Sequence, residues 1–222
     1  MLLSEGFAAL HLRFAERVSR LAGIELTAAL RHWTPAGRQA AAAWAEVGPA
    51  PDARWLWRVY QSGPIARTRP TFGCFYHTPT RDPGVLRLHF ANIDGPGVLA
   101  RDRLLLRRRE LARMLTDARA TAPQADLLRG GSWLYHLAPY RSLFPPSFLA
   151  TAVQADSRNH LDSGSLWGQF LRGDGGLYEP RVATFIRDFE RATTPDELVA
   201  AFPLARLNLL GPIEHVLAWL DS

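Results

Sequence analysis

The stretch that decides the fold runs from Val85 to Tyr135. It opens with VLRLHFA at 85–91 and passes through NIDGPG at 92–97. It continues as LARDRLLLRRRELARMLTDAR at 99–119 and closes with LLRGGSWLY at 127–135. The first and last segments are short and apolar, and glycine and proline punctuate the turn between them. In the middle segment Leu104, Leu111, Leu115 and Ala118 form a stripe at helical spacing, flanked by Leu105 and Ala112. Arg103, Arg107, Arg108, Glu110 and Arg113 fall largely off that stripe. Strand, long helix, strand is the pattern of a crossover, and crossovers are right-handed and join parallel strands. The segments at 85–91 and 127–135 are therefore expected to be parallel, with the 99–119 helix on their face.

Upstream, Phe72–Thr78 pairs naturally with Val85–Ala91 across Pro79–Gly84, a hairpin with a long turn. Symmetric closure puts Phe72, Cys74, Tyr76, Leu86, Leu88 and Phe90 on a core face. It puts Gly73, Phe75, His77, Val85, Arg87 and His89 on a mixed one. Residues 4–22 read as an amphipathic helix capped by Ser4 and ended by Gly23. Further helices are expected near 26–33, at 34–47 behind Thr34-Pro35, and from Asp52 through Tyr60. Downstream, 139–144 reads as a helical turn and 148–155 as either strand or helix. A loop follows at 157–165, then a second hairpin at 167–178 around Asp174-Gly175-Gly176. Helices are expected at 180–191, 194–202 and 212–220. The fold class is α+β in a single domain: a helical N-terminal layer (1–61), a core with a central mixed sheet (62–178) and C-terminal helices (179–222).

Composition narrows the chemistry. The 222 residues are 47% hydrophobic and 10% aromatic, a globular composition. No stretch approaches the ~18 apolar residues of a membrane span. The start, Met1-Leu2-Leu3-Ser4-Glu5, lacks a signal peptide's basic region, and Cys74 stands alone, so a reducing, cytoplasmic setting is expected. All 26 basic residues are arginine. Without lysine this chain has no Schiff-base nucleophile, pyridoxal-phosphate anchor or P-loop lysine. The net charge of +5 permits an anionic ligand or nucleic acid and demands neither.

Ligands of sheets with parallel strands bind beyond the strands' carboxyl ends. Two such ends, 91–97 and 132–136, would meet at one edge, gathering Asn92, Asp94, Ser132, Tyr135, His136 and Tyr140. The competing reading is an ordinary loop cluster, since turns use Asn, Asp, Gly and Pro for backbone reasons.

Residues 72–144 resemble the core of the Gcn5-related N-acyltransferases. That family has a hairpin, a strand ending in a glycine-bearing loop, a helix, a splayed parallel strand and a short helix. Asn92, Gly95 and Gly97 fall at the spacing of its loop motif, with Asn92 replacing the usual Gln or Arg. The resemblance implies that coenzyme A is the acyl donor, that these three residues hold its pyrophosphate, and that Tyr140 protonates the departing thiolate. His89 is the side chain available as a base toward an amine acceptor, and Ser132, Tyr135 and His136 would contact substrate. Asp94 and Pro96 depart from a phosphate loop, one by charge and one by lacking an N–H. Residues 131–135 and 140–145 are also similar to segments of uncharacterised bacterial proteins, a likeness that carries no activity.

Other constellations are thinner. Ser132 and His136 lack an acid to complete a triad. His77 and His89 share the expected mixed face without metal-ligand spacing, so no metal is expected. Cys74 reads as a core residue, and Arg107-Arg108-Arg109 as a solvated helix face balanced by Glu110. The rival to an enzyme is a protein-binding scaffold, for which seven tryptophans, Trp55 and Trp57 among them, would supply surface. A third reading is DNA binding through a helix-turn-helix outline at 26–44, flanked by Arg31 and Arg38. Ala40–Ala43 in its second helix offers no base-reading side chain.

Overall fold

The computed structural model describes residues 4–31, 52–62, 72–155, 166–172 and 176–222. The helix expected at 34–47, and with it the helix-turn-helix outline, lies outside these residues, as do the 157–165 loop and Asp174-Gly175. In chain order the elements are α1 (Glu5–Ala22), α2 (Leu26–Arg31), α3 (Ala53–Ser62), β1 (Phe75–Pro79), β2 (Val85–Phe90), α4 (Leu104–Thr121), β3 (Leu127–Ser132), α5 (Ala138–Arg141), α6 (Pro146–Leu149), β4 (Val153–Gln154), α7 (Glu179–Arg191), α8 (Pro195–Ala200), β5 (Leu207–Pro212) and α9 (Ile213–Leu220). Short 3-10 turns occupy Arg101–Arg103, Trp133–His136 and Leu166–Phe170. None of the described helices is long and apolar enough to cross a membrane.

The chain divides into two compact units, each discontinuous in sequence. Residues 1–67 and 156–205 form one; residues 68–155 and 206–222 form the other. These do not coincide with three sequential layers, because the chain leaves the sheet after β4 and returns to it at β5.

The first unit is helical. Ser4 caps α1 by accepting from the Phe7 N–H at 3.2 Å, and Phe7, Leu10, Phe14 and Val18 are buried along one stripe. Phe14 packs edge-on against Trp167 at 5.2 Å and beside Phe185 and Phe189 at 5.8 Å, an aromatic core joining α1 to α7. The amide of buried Gln169 ties this core together, donating to the Leu166 carbonyl and accepting from the Leu204 N–H, each at 2.9 Å.

The second unit holds a five-stranded mixed sheet, ordered β1-β2-β3-β5-β4 among the described residues. As the crossover argument requires, β2 and β3 are parallel; the other neighbours are antiparallel. The α4 stripe of Leu111, Met114, Leu115 and Ala118 packs with Phe75, Leu86, Leu88 and Leu128 in one core. This is an α+β fold.

Several expectations are corrected. The hairpin closes as Phe75↔Phe90, His77↔Leu88 and Pro79↔Leu86. Phe75 and His77 therefore join Leu86, Leu88 and Phe90 on the core face, and Tyr76 moves to the other. Within the turn Thr80 Oγ1 accepts from the Asp82 N–H at 3.1 Å and Asp82 Oδ1 from the Gly84 N–H at 2.9 Å. Any closure about 79–84 that pairs an odd with an even position, as the observed one does, groups Tyr76 with Arg87 and His89. His77 and His89 consequently lie on opposite faces. The second hairpin is a 3-10 turn with a single bridge, Leu171↔Leu177. The 148–155 segment splits into the end of α6 and β4. The 212–220 helix begins at Ile213, because Pro212 ends β5, a strand the periodicity did not reveal.

Candidate functional site

The parallel pair is short. β2 and β3 are in register only at Val85↔Leu127, Leu86↔Leu128 and Arg87↔Arg129. Beyond that β2 follows β1 to Phe90, and β3 follows β5 to Ser132. The ladder between the two strands thus ends at Arg87↔Arg129, and the stretch where 88–90 and 130–132 are not register partners is termed the wedge.

On the core face three rings span the wedge. Phe90 meets Tyr140 edge-on at 5.5 Å, and Tyr140 meets Tyr135 at 5.1 Å. The Tyr135 hydroxyl lies over Gly130, where an added Cβ would stand 2.0 Å from it; the absent side chain makes room for the phenol. Both tyrosines are buried. Burial pushes their hydroxyls above the usual phenol range, so both are neutral proton donors near neutral pH. The hydroxyls face each other without the alignment of a full hydrogen bond, leaving Tyr135 Oη unsatisfied among the described residues.

The loop beyond β2 is built from its own side chains. Asn92 Oδ1 accepts from the Gly95 N–H at 2.9 Å. Gly95 and Gly97 adopt φ of 76° and 71°, the left-handed region that favours glycine. The Gly97 carbonyl accepts from the Ala100 N–H at 2.8 Å, and a 3-10 turn intervenes before α4. The Gly95 amide is therefore engaged inside the loop, and the α-helix proper begins seven residues after Gly97.

Asp94 turns inward. Its carboxylate meets Arg107 Nη2 at 2.6 Å, and Arg107 is fully buried. Arg107 also lies 3.1 Å from Glu110 and donates to Cys74 Sγ. Glu110 accepts in turn from the Cys74 N–H at 3.1 Å. The arginine run is thus not a solvated face. Arg108 donates to the Trp219 and Leu220 carbonyls at 2.6 and 3.2 Å, holding the end of α9, and Arg109 is exposed. Burial raises the Cys74 thiol's pKa, consistent with a core residue.

The remaining candidates separate. Ser132 Oγ accepts from the Leu134 N–H at 3.1 Å and so caps the following 3-10 turn. His136 is exposed and joins Tyr135, Arg141, Leu149, Ala152, Leu207 and Leu209 around a cavity of about 270 Å3. His89 projects from the opposite sheet face to Tyr140. It stacks on Tyr76 at 4.5 Å and pairs through Nε2 with Thr78 Oγ1 at 2.9 Å. Burial, Arg87 and Arg206 lower its pKa to about 4, so it is neutral at pH 7. A larger cleft of about 580 Å3 opens at the amino end of β3, lined by Arg119, Asp126 and Glu214 among others. Among the described residues no group of three or more His, Cys, Asp or Glu side chains is placed to hold a metal ion.

Sequence reasoning missed Arg107, whose neighbour Arg108 disguised it, and Arg141, whose place at the cavity depends on β5. No family model matches this chain, and neither does any curated protein or solved structure.

Proposed function

We infer that this chain is an acyl-coenzyme-A-dependent acyltransferase of the Gcn5-related type, acting on an amine. The observation that carries the reading is the wedge, a parallel pair that ends after three residues. Backbone groups facing such a gap have no ladder partner, and an extended arm bearing amides can supply one. The pantetheine arm of coenzyme A is of that chemistry. Its thioester would lie near the Tyr135 and Tyr140 hydroxyls. The amine nitrogen attacks the thioester carbonyl, the carbon–sulfur bond breaks, and Tyr140 protonates the departing thiolate. The amine's proton passes to water, because His89 projects from the sheet face opposite Tyr140. Asn92, Gly95 and Gly97 would serve the pyrophosphate, using amides beyond the one Asn92 already holds. Asp94 remains a departure from a phosphate loop, because its partner Arg107 is shared with Glu110, one guanidinium against two carboxylates.

A second reading has its own support. Ile93, Leu105 and Leu106 are 49%, 58% and 47% exposed around the same loop. Apolar exposure of that kind suits a protein partner.

Thermal shift with coenzyme A and acetyl-coenzyme A separates the two. A ligand at about a hundredfold over its Kd adds about 2.7 kcal/mol, or several degrees in a chain of this size. The enzyme reading expects that shift, and its loss in Gly97→Val, where a β-branched residue must take a positive φ. No shift in the wild-type protein leaves the scaffold reading.

A further inference from the structure

Among the described residues, the sheet face opposite α4 carries arginines that make no ion pair. Arg87 and Arg129 are register partners on the adjacent parallel strands, and both are exposed. Like charges directly opposite one another on a sheet repel. Arg206, just before β5, adds a third. Its guanidinium lies over Gly131, where an added Cβ would stand 2.6 Å from Nη2. Gly131 is two residues beyond Arg129 and so on the same face. Burial and the nearby Arg87 both lower the Arg206 pKa, and its buried Nε has no hydrogen-bond partner. No strand of the sheet contains an acidic residue.

We propose that Arg87, Arg129 and Arg206 form a binding site for a phosphate-bearing small ligand, on the sheet face opposite Tyr135 and Tyr140. Guanidinium forks match phosphate oxygens two at a time, which an isolated ammonium cannot do. The three arginines span one strand spacing, about 4.8 Å, by two residues of strand, about 6.6 Å. That footprint fits one or two phosphates and not the extended track of a nucleic acid. The stacked Tyr76–His89 pair borders it and offers an aromatic floor for the ligand's remainder. His89 adds no competing positive charge, and Gly131 gives Arg206 its room. The site is independent of the acyltransferase reading, since it uses neither the wedge's core face nor the 92–97 loop.

The test is calorimetric titration of the full chain with inorganic pyrophosphate, inorganic phosphate and a twelve-nucleotide single strand. Pyrophosphate should bind, and Arg129→Gln and Arg206→Gln should each weaken it about ten- to a hundredfold, the worth of a charge-assisted hydrogen bond. Arg129→Gln should also melt no lower than wild type without ligand, because it removes a repulsion. That variant keeps the test decisive if Arg206→Gln fails to fold. The proposal is overturned by absence of pyrophosphate binding or by equal affinity in Arg129→Gln. Binding lost in Gly97→Val but kept in Arg129→Gln overturns it too, as does a preference for the oligonucleotide.

Discussion

Arg107 concentrates more charge contact than any residue around the loop. It is buried against Asp94, Glu110 and Cys74. Removing one partner of a buried ionic group leaves the others uncompensated, at about 3–5 kcal/mol. Arg107→Met should therefore lower the unfolding free energy measured in urea by that much, whereas a loss below about 1 kcal/mol is what an exposed pair would give. Tyr135 and Gly130 make a steric pair. Gly130→Ala drives a methyl into the phenol and should cost about 1–3 kcal/mol. Tyr135→Phe removes an unsatisfied hydroxyl, so it should be neutral or stabilising and should partly rescue Gly130→Ala in a double-mutant cycle. Chemical denaturation of the four proteins measures both effects. Sequence alone could name Asp94 and Tyr135 as candidates at the strand ends. It could not see Arg107's burial, because two of the arginine's three partners are 13 and 33 residues away along the chain.

The crossover was legible at the element scale because α4 carries its stripe in one continuous run and its flanking strands are apolar. The hairpin's partners were legible but its register was not. That register rests on the cross-strand ladder from Phe75↔Phe90 to Pro79↔Leu86, and a one-residue change exchanges the faces. β5 escaped because Leu207–Pro212 has no β-branched residue and ends in Gly211-Pro212. It owes its place to β3 and β4, distant in sequence. The wedge is likewise a product of pairing and leaves no periodic trace. It predicts uneven amide exchange in the free protein. Amides facing the gap in 88–90 and 130–132 should exchange faster than those in the paired stretches 85–87 and 127–129. Uniform protection across β2 and β3 would mean that the ladder continues.

The whole molecule divides into two discontinuous units, each with a histidine kept neutral. Burial lowers His11 to about 3 in the helical unit. Burial and nearby arginines lower His89 to about 4 in the sheet unit. Both are depressed below the unfolded value of about 6.5, so the unfolded chain takes up protons first as pH falls. Stability should be complete above pH 6.5 and decline toward pH 4. At pH 5 His11 alone removes about 2 kcal/mol, with a smaller share from the more exposed His89. The melting temperature should therefore be lower at pH 5 than at pH 7.5, and His11→Phe should flatten the dependence. An equal or higher melting temperature at pH 5 would contradict the burial of these two rings. The two-unit division was not legible in sequence, because helices α7 and α8 give no sign that they are joined to α1 before the chain returns to the sheet.

The central claim is that the wedge receives acyl-coenzyme A, and hydrogen exchange with and without saturating acetyl-coenzyme A tests it most directly. The account predicts slowed exchange confined to 88–97 and 130–136, the gap-facing amides and the glycine loop. Unchanged exchange in both segments, or protection only elsewhere in the chain, would contradict it.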